Sequence, residues 1–204
     1  MTKIQNYETC VNADELSNAE ILLTTALLIR GNYSNASRVY ISFIGSNIKE
    51  TAITTVSNAC TELGIPFTTL DSDPCPDRFY LWGNKLSEVL ARQRLIPDKH
   101  QTWRNKLKIP TSWHQLSFDK RQLVNNLIFS IVKTYDTKIS GLALRLPDNN
   151  ALAKGLIQLL APINQNIQIR YGGSAGRKPL LWNVRYMSHL NMAHIDMDYI
   201  SDLL

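Results

Sequence analysis

One rhythm constrains this chain more than any other feature: a helix–strand–helix–strand succession that occurs twice. In the first stretch, Leu16, Ala19, Leu23, Ala26 and Leu27 recur at helical spacing, and Gly31-Asn32 supplies a C-terminal stop. Residues 39–44 are a β-branched and aromatic run, hence a strand. Ile48, Ala52, Ile53, Val56, Ala59, Cys60 and Leu63 then form a helical stripe. Asn47 and Glu50 fit a capping box at its start, and Gly64 ends it. Residues 65–70 read as the next strand.

The second stretch repeats the pattern. Val124, Leu127, Ile128, Ile131, Val132 and Tyr135 mark a helix, and residues 139–146 a strand. Leu152, Leu156, Leu159 and Leu160 mark a helix opened by Asp148 or Asn149, and residues 167–171 alternate as a strand. The starts at 16, 39 and 65 correspond to 118, 139 and 167, offsets of 102, 100 and 102. The two stretches share little residue identity. The recurrence is therefore read as the rhythm of an α/β protein, with remote duplication as the alternative.

Strand, helix and strand with short joints make a right-handed βαβ unit, whose strands run parallel. The expected fold is accordingly α/β and three-layered, a single domain over 1–204 with a mostly parallel central sheet. Leu180, Trp182, Val184 and Tyr186 alternate with Leu181, Asn183 and Arg185, a strand hairpinned onto 167–171 as an antiparallel edge. A basic, Trp-containing insert of about 72–116 breaks the rhythm; it holds Pro74, Pro76, Pro97 and Pro110 and a helical stretch near 82–95. The tail 189–204 reads as a last helix.

The charge is uneven. The chain carries 22 Lys+Arg and 17 Asp+Glu, a net +5, and 44% hydrophobic residues, an ordinary globular balance. Residues 85–121 hold nine cations against three anions, a local +6 that leaves the rest of the chain at −1. Trp103 and Trp113 lie within this segment and Trp82 just before it. Cations neutralise phosphates and release counterions, while flat rings stack on unpaired bases. Arg92, Arg94, Trp103, Arg104, Lys106, Lys108 and Trp113 are thus candidates for contact with nucleic acid, DNA or RNA. The bland alternative is a solvated basic surface with tryptophans anchoring an irregular segment to the core.

A second focus is Arg170 with the loop 172–178. Gly172, Gly173 and Gly176 let backbone N–H groups turn toward an anion, Ser174 adds a hydroxyl, and Arg177 and Lys178 suit phosphate oxygens. The spacing is neither that of a Walker A loop nor that of a dinucleotide fingerprint. A plain hairpin loop with exposed cations is the rival.

A parallel sheet would gather the loops after Ile44, Leu70, Leu146 and Tyr171 at one carboxyl edge, where α/β sheets bind ligands. That edge would suit a small enzyme acting on a nucleotide or phosphorylated substrate, with Asp71, Asp73 and Asp148 as weak catalytic candidates. Asp71, Asp73 and Asp77 have the oxygen chemistry for Mg²⁺ if the chain is an enzyme, although aspartates between prolines are ordinary turn formers. His189 is a weak candidate for a lone base. No cofactor is otherwise expected. A third reading is a protein-interaction or assembly subunit, homo-oligomeric or with another protein.

The longest apolar run, 21–29, is interrupted by Thr24 and Thr25 and falls short of the roughly 20 residues of a membrane span. No membrane partner is expected. The three cysteines, Cys10, Cys60 and Cys75, show no C-x-x-C spacing, and no signal peptide is visible, so the expectation is a reduced, cytoplasmic protein.

Overall fold

In a computed structural model of the chain, the residues described are 11–35, 38–44, 46, 48–70, 77–95, 107–131, 133–134, 141–146, 150–163, 167–172 and 181–187. The centre of the fold is helix α1 (Asn18–Arg30), of whose 13 residues ten are buried. A helix that is apolar on nearly every side can exist only surrounded by other elements. Its start is fixed locally. Ser17 Oγ accepts the Glu20 N–H (3.1 Å) and Glu20 Oε2 accepts the Ser17 N–H (2.9 Å), a reciprocal capping box.

Helix α1 runs straight into strand β1 (Gly31–Asn35), which pairs antiparallel with β2 (Arg38–Ser42). Helix α2 (Lys49–Glu62) follows, then β3 (Phe67–Leu70), β4 (Arg78–Leu81) and α3 (Asn84–Arg92). The succession then recurs. Helix α4 (Phe118–Ile131) leads to β5 (Lys133–Thr134) and β6 (Gly141–Leu146), then α5 (Asn150–Leu160), β7 (Ile167–Gly172) and β8 (Leu181–Met187). The two sheets have the same strand order, β1-β2-β4-β3 and β5-β6-β8-β7. Corresponding elements begin at 18 and 118, 49 and 150, 67 and 167, and 78 and 181. The recurrence seen in the sequence is thus a repeated arrangement of elements, not merely a rhythm.

The expected mostly parallel, three-layer sheet is not what forms. Both sheets have four strands, and every pairing is antiparallel. Strands β2 and β3, joined through α2, do run in the same direction, but β4 lies between them and opposes both. The βαβ expectation fails because β4 inserts between β2 and β3 and pairs with both. Strand β1 (GNYSN) is polar and opens on a glycine that also reads as a helix stop, and β4 (RFYL) is only four residues long. A single carboxyl edge gathering four loops does not form either. The loops after Ile44 and Leu70 belong to one sheet, and those after Leu146 and the end of β7 to the other.

Helices α1 and α4 pack side by side, with α2 against both. Their carboxyl ends are tied across the recurrence. Arg30 Nη2 donates to the Ile131 carbonyl (3.1 Å), and the Ile48 N–H donates to the Ser130 carbonyl (3.0 Å). A guanidinium at the last carbonyls of a helix is favourable toward its dipole as well as toward its unpaired acceptors. Gly31 is required at the joint of α1 and β1, because a Cβ there would lie 2.3 Å from the Leu27 carbonyl oxygen.

The segment between the halves is pinned to the centre by a buried relay. Trp113 Nε1 donates to Gln93 Oε1 (2.9 Å), and Gln93 Nε2 donates to Thr24 Oγ1 (2.7 Å) on α1. Buried polar groups are tolerable only when satisfied in this way. Cys60 lies in the same core, and burial pushes its thiol up to about 12, so it has no thiolate chemistry at neutral pH. Gln93→Leu strands both the indole N–H and the threonine hydroxyl. It is expected to destabilise the fold by about 2–3 kcal/mol, read as a lower urea midpoint. A change below about 0.5 kcal/mol would show that the relay is not an anchor.

Candidate nucleic-acid interface

Of the six cations of segment 85–121 that are described, three are bound into the scaffold. Arg92 Nη1 pairs with Glu20 Oε1 at 2.8 Å, and the Glu20 side chain is only 4% exposed. Lys120 Nζ donates to the Ala13 and Asp14 carbonyls (3.1 and 3.2 Å). Arg121 is used at all three nitrogens, donating to Leu116 O (2.9 Å), Leu159 O (2.6 Å) and His114 O (2.6 Å). Lys85 pairs with Glu88 on the surface of α3. Trp113 is fully buried, with its N–H committed to Gln93, so its ring offers no platform for a base. Arg94 and Lys108 are exposed, Arg94 at a positive φ of 56°.

Other sequence candidates fall elsewhere. Trp103, Arg104, Lys106, Gly173, Ser174, Gly176, Arg177, Lys178, Asp71, Asp73, Asp148 and His189 lie outside the described residues. Gly172 ends β7, and Arg170 sits within it. Asp77, considered for Mg²⁺ together with Asp71 and Asp73, forms an ion pair with Lys49 at the start of α2. Among the described residues no group of three or more His, Cys, Asp or Glu is placed to hold a metal ion. No helix among them is long and apolar enough to cross a membrane.

The register of the strands reveals a different concentration of charge. Residues directly opposite in an antiparallel pair share a face, and neighbours along a strand alternate. In the first sheet Val39, Ile41, Phe79 and Leu81 are buried. The opposite face bears Asn32, Arg38, Tyr40, Ser42, Thr68, Leu70, Arg78 and Tyr80. In the second sheet one face bears Leu142, Leu144 and Leu146 with Trp182, Val184 and Tyr186, and with Ile167, Ile169 and Tyr171. The other face bears Lys133, Arg145, Arg170 and Arg185 together with Gln168 and Asn183.

Arg38, Arg78, Lys133, Arg145, Arg170 and Arg185 are the charged residues of the eight strands, and none of those strands contains Asp or Glu. All six lie on the faces opposite the apolar sets. In one row Arg145 and Arg170 flank Asn183, and in the next Ala143 and Gln168 flank Arg185. Adjacent strands lie about 4.8 Å apart, so Arg145 and Arg170 stand roughly 10 Å apart across the sheet. Of this set only Arg170 was singled out from the sequence. The alternation of Asn183 and Arg185 with an apolar set was legible, but the pairing that aligns them with Arg145 was not.

On this division Arg121→Ala, which strands three carbonyls, is expected to cost about 2–3 kcal/mol in a urea melt. Lys108→Ala, at an exposed position, is expected to stay within about 0.5 kcal/mol. Equal effects would erase the distinction between scaffold cations and surface cations.

No family model matches the chain, and no curated protein matches it. Among solved structures it is similar to a variant of I-DmoI in complex with its target DNA nicked in the coding strand, in the presence of 2 mM Mn. The identity is 13% and the TM-score 0.48, over 86% of this chain and 90% of that one.

Proposed function

We propose that the chain binds nucleic acid through the basic faces of its two antiparallel sheets. The observation that carries this is the placement of six cations, with no acid on the strands, on the faces opposite the apolar sets. A polyanion laid across such a face pairs its phosphates with the cations and releases counterions. Asn183 and Gln168 sit in the same cross-strand rows and are residue types that hydrogen-bond base edges, whereas the arginines suit phosphates and guanines. The support comes from the chain's own residues, not from its distant neighbour.

This replaces segment 85–121 as the principal contact, since Arg92, Lys120 and Arg121 are occupied within the scaffold. The reading covers DNA and RNA alike. The test is fluorescence anisotropy with labelled single strands and duplexes at low and moderate salt. Binding is expected at low salt, weakening steeply as salt rises. Arg145→Gln with Arg185→Gln is expected to weaken binding and to reduce the salt slope by about two. No binding at low salt with tens of micromolar protein, or a slope unchanged in that variant, would sink the proposal.

A further inference from the structure

We infer that the aromatic face of the first sheet is a stacking platform for unpaired bases, so that the ligand is a nucleic acid with a single-stranded stretch. This rests on the nucleic-acid reading and assigns different work to the two sheets. Tyr40 and Tyr80 are register partners on β2 and β4, with ring centroids 5.6 Å apart and planes tilted by 41°. The Arg78 guanidinium lies 4.7 Å from the centroid of the Tyr40 ring. One residue beyond β4 the pairing continues, with the Trp82 N–H donating to the Pro66 carbonyl (3.3 Å), so Trp82 follows the alternation of Arg78 and Tyr80. Trp82 is 37% exposed, and Tyr40, Tyr80 and Arg78 are half-buried.

The core does not account for this row. The opposite face has its own aromatic cluster, in which Phe79 stacks on Phe67 at 4.7 Å and meets Phe43 edge-on at 6.3 Å. Half-buried Tyr40 and Tyr80 and exposed Trp82 instead form a row of rings beside a cation and the exposed Thr68, on strands that carry no acid. Rings and guanidinium planes are the groups on which unpaired bases stack, independently of base identity. A base inside a duplex has no free face to offer. The second sheet differs: by register its aromatic residues Tyr171, Trp182 and Tyr186 share the apolar face, and its basic face has none. The first sheet therefore suits exposed bases and the second the backbone.

The experiment uses the full chain with fluorescein-labelled oligo(U), oligo(dT) and a mixed-sequence duplex, each of about twelve nucleotides. Tyr80→Thr with Trp82→Thr is expected to weaken binding of either single strand about ten-fold and to leave duplex binding within about two-fold. Tyr40→Phe with Tyr80→Phe keeps the rings and is expected to retain single-strand affinity. A thermal melt reports whether each variant is folded. If the threonine variant does not fold, intrinsic fluorescence of the unmodified chain decides. A single strand is expected to quench emission that is lost in Trp82→Phe, and a duplex is not. Equal single-strand affinity in the folded threonine variant, or absence of such quenching, overturns the platform while the nucleic-acid reading stands. An equal loss on the duplex also overturns it, because the face would then be a general contact. A chain that binds neither single strand nor duplex overturns both.

Discussion

Almost everything in this structure depends on how α1 is enclosed. With ten of its 13 residues buried, the helix has no stable existence apart from α4 on one side, α2 on another and the apolar face of the first sheet beyond. Its two charged residues are both used to hold neighbours. Glu20 closes the capping box and holds Arg92, and Arg30 reaches the last carbonyl of α4. The close joint at Gly31 turns the chain from the central helix into the edge strand with no intervening loop. Helix α4 likewise precedes the edge strand β5 of the second sheet.

The antiparallel arrangement has a functional consequence. Parallel sheets in α/β proteins are covered on both faces and bind ligands at a strand edge. An antiparallel sheet can cover one face and leave the other to water. In the first sheet the covered face carries Phe79, Leu81, Val39 and Ile41. The other carries tyrosines, arginines and hydroxyls. The place to look for function therefore moves from a rim of loops to the sheet faces themselves.

Local charge density along a chain is a poor guide to free charge on a surface. Segment 85–121 is the most basic part of the sequence, yet Arg92 neutralises a buried carboxylate, and Lys120 and Arg121 satisfy carbonyls near helix ends. Cations that complete hydrogen bonds within the scaffold are held in place and have few donors left for a phosphate. The strand arginines are scattered from 38 to 185 and show no clustering in sequence. They become a cluster only through cross-strand pairing.

Several elements were legible from residue pattern alone. The helices around Leu23, Val56, Leu127 and Leu156, and strands β2, β3, β6, β7 and β8, follow from periods of 3.6 and 2. So does the recurrence at an offset near 100. These are local properties, set by which side chains must leave water together. Strand order was not legible, because it depends on β1 and β4, whose short polar or mixed sequences carry little signal, and on a pairing between segments far apart in the chain. Nor was the shared basic face of the second sheet. The sequence by itself determined that apolar and polar residues alternate along β6, β7 and β8, and hence that each of these strands has two unlike sides. Only the tertiary structure decided which sides meet, since hydrogen-bond register between distant strands brings Arg145, Arg170 and Arg185 onto one face and Tyr40 beside Tyr80 on another.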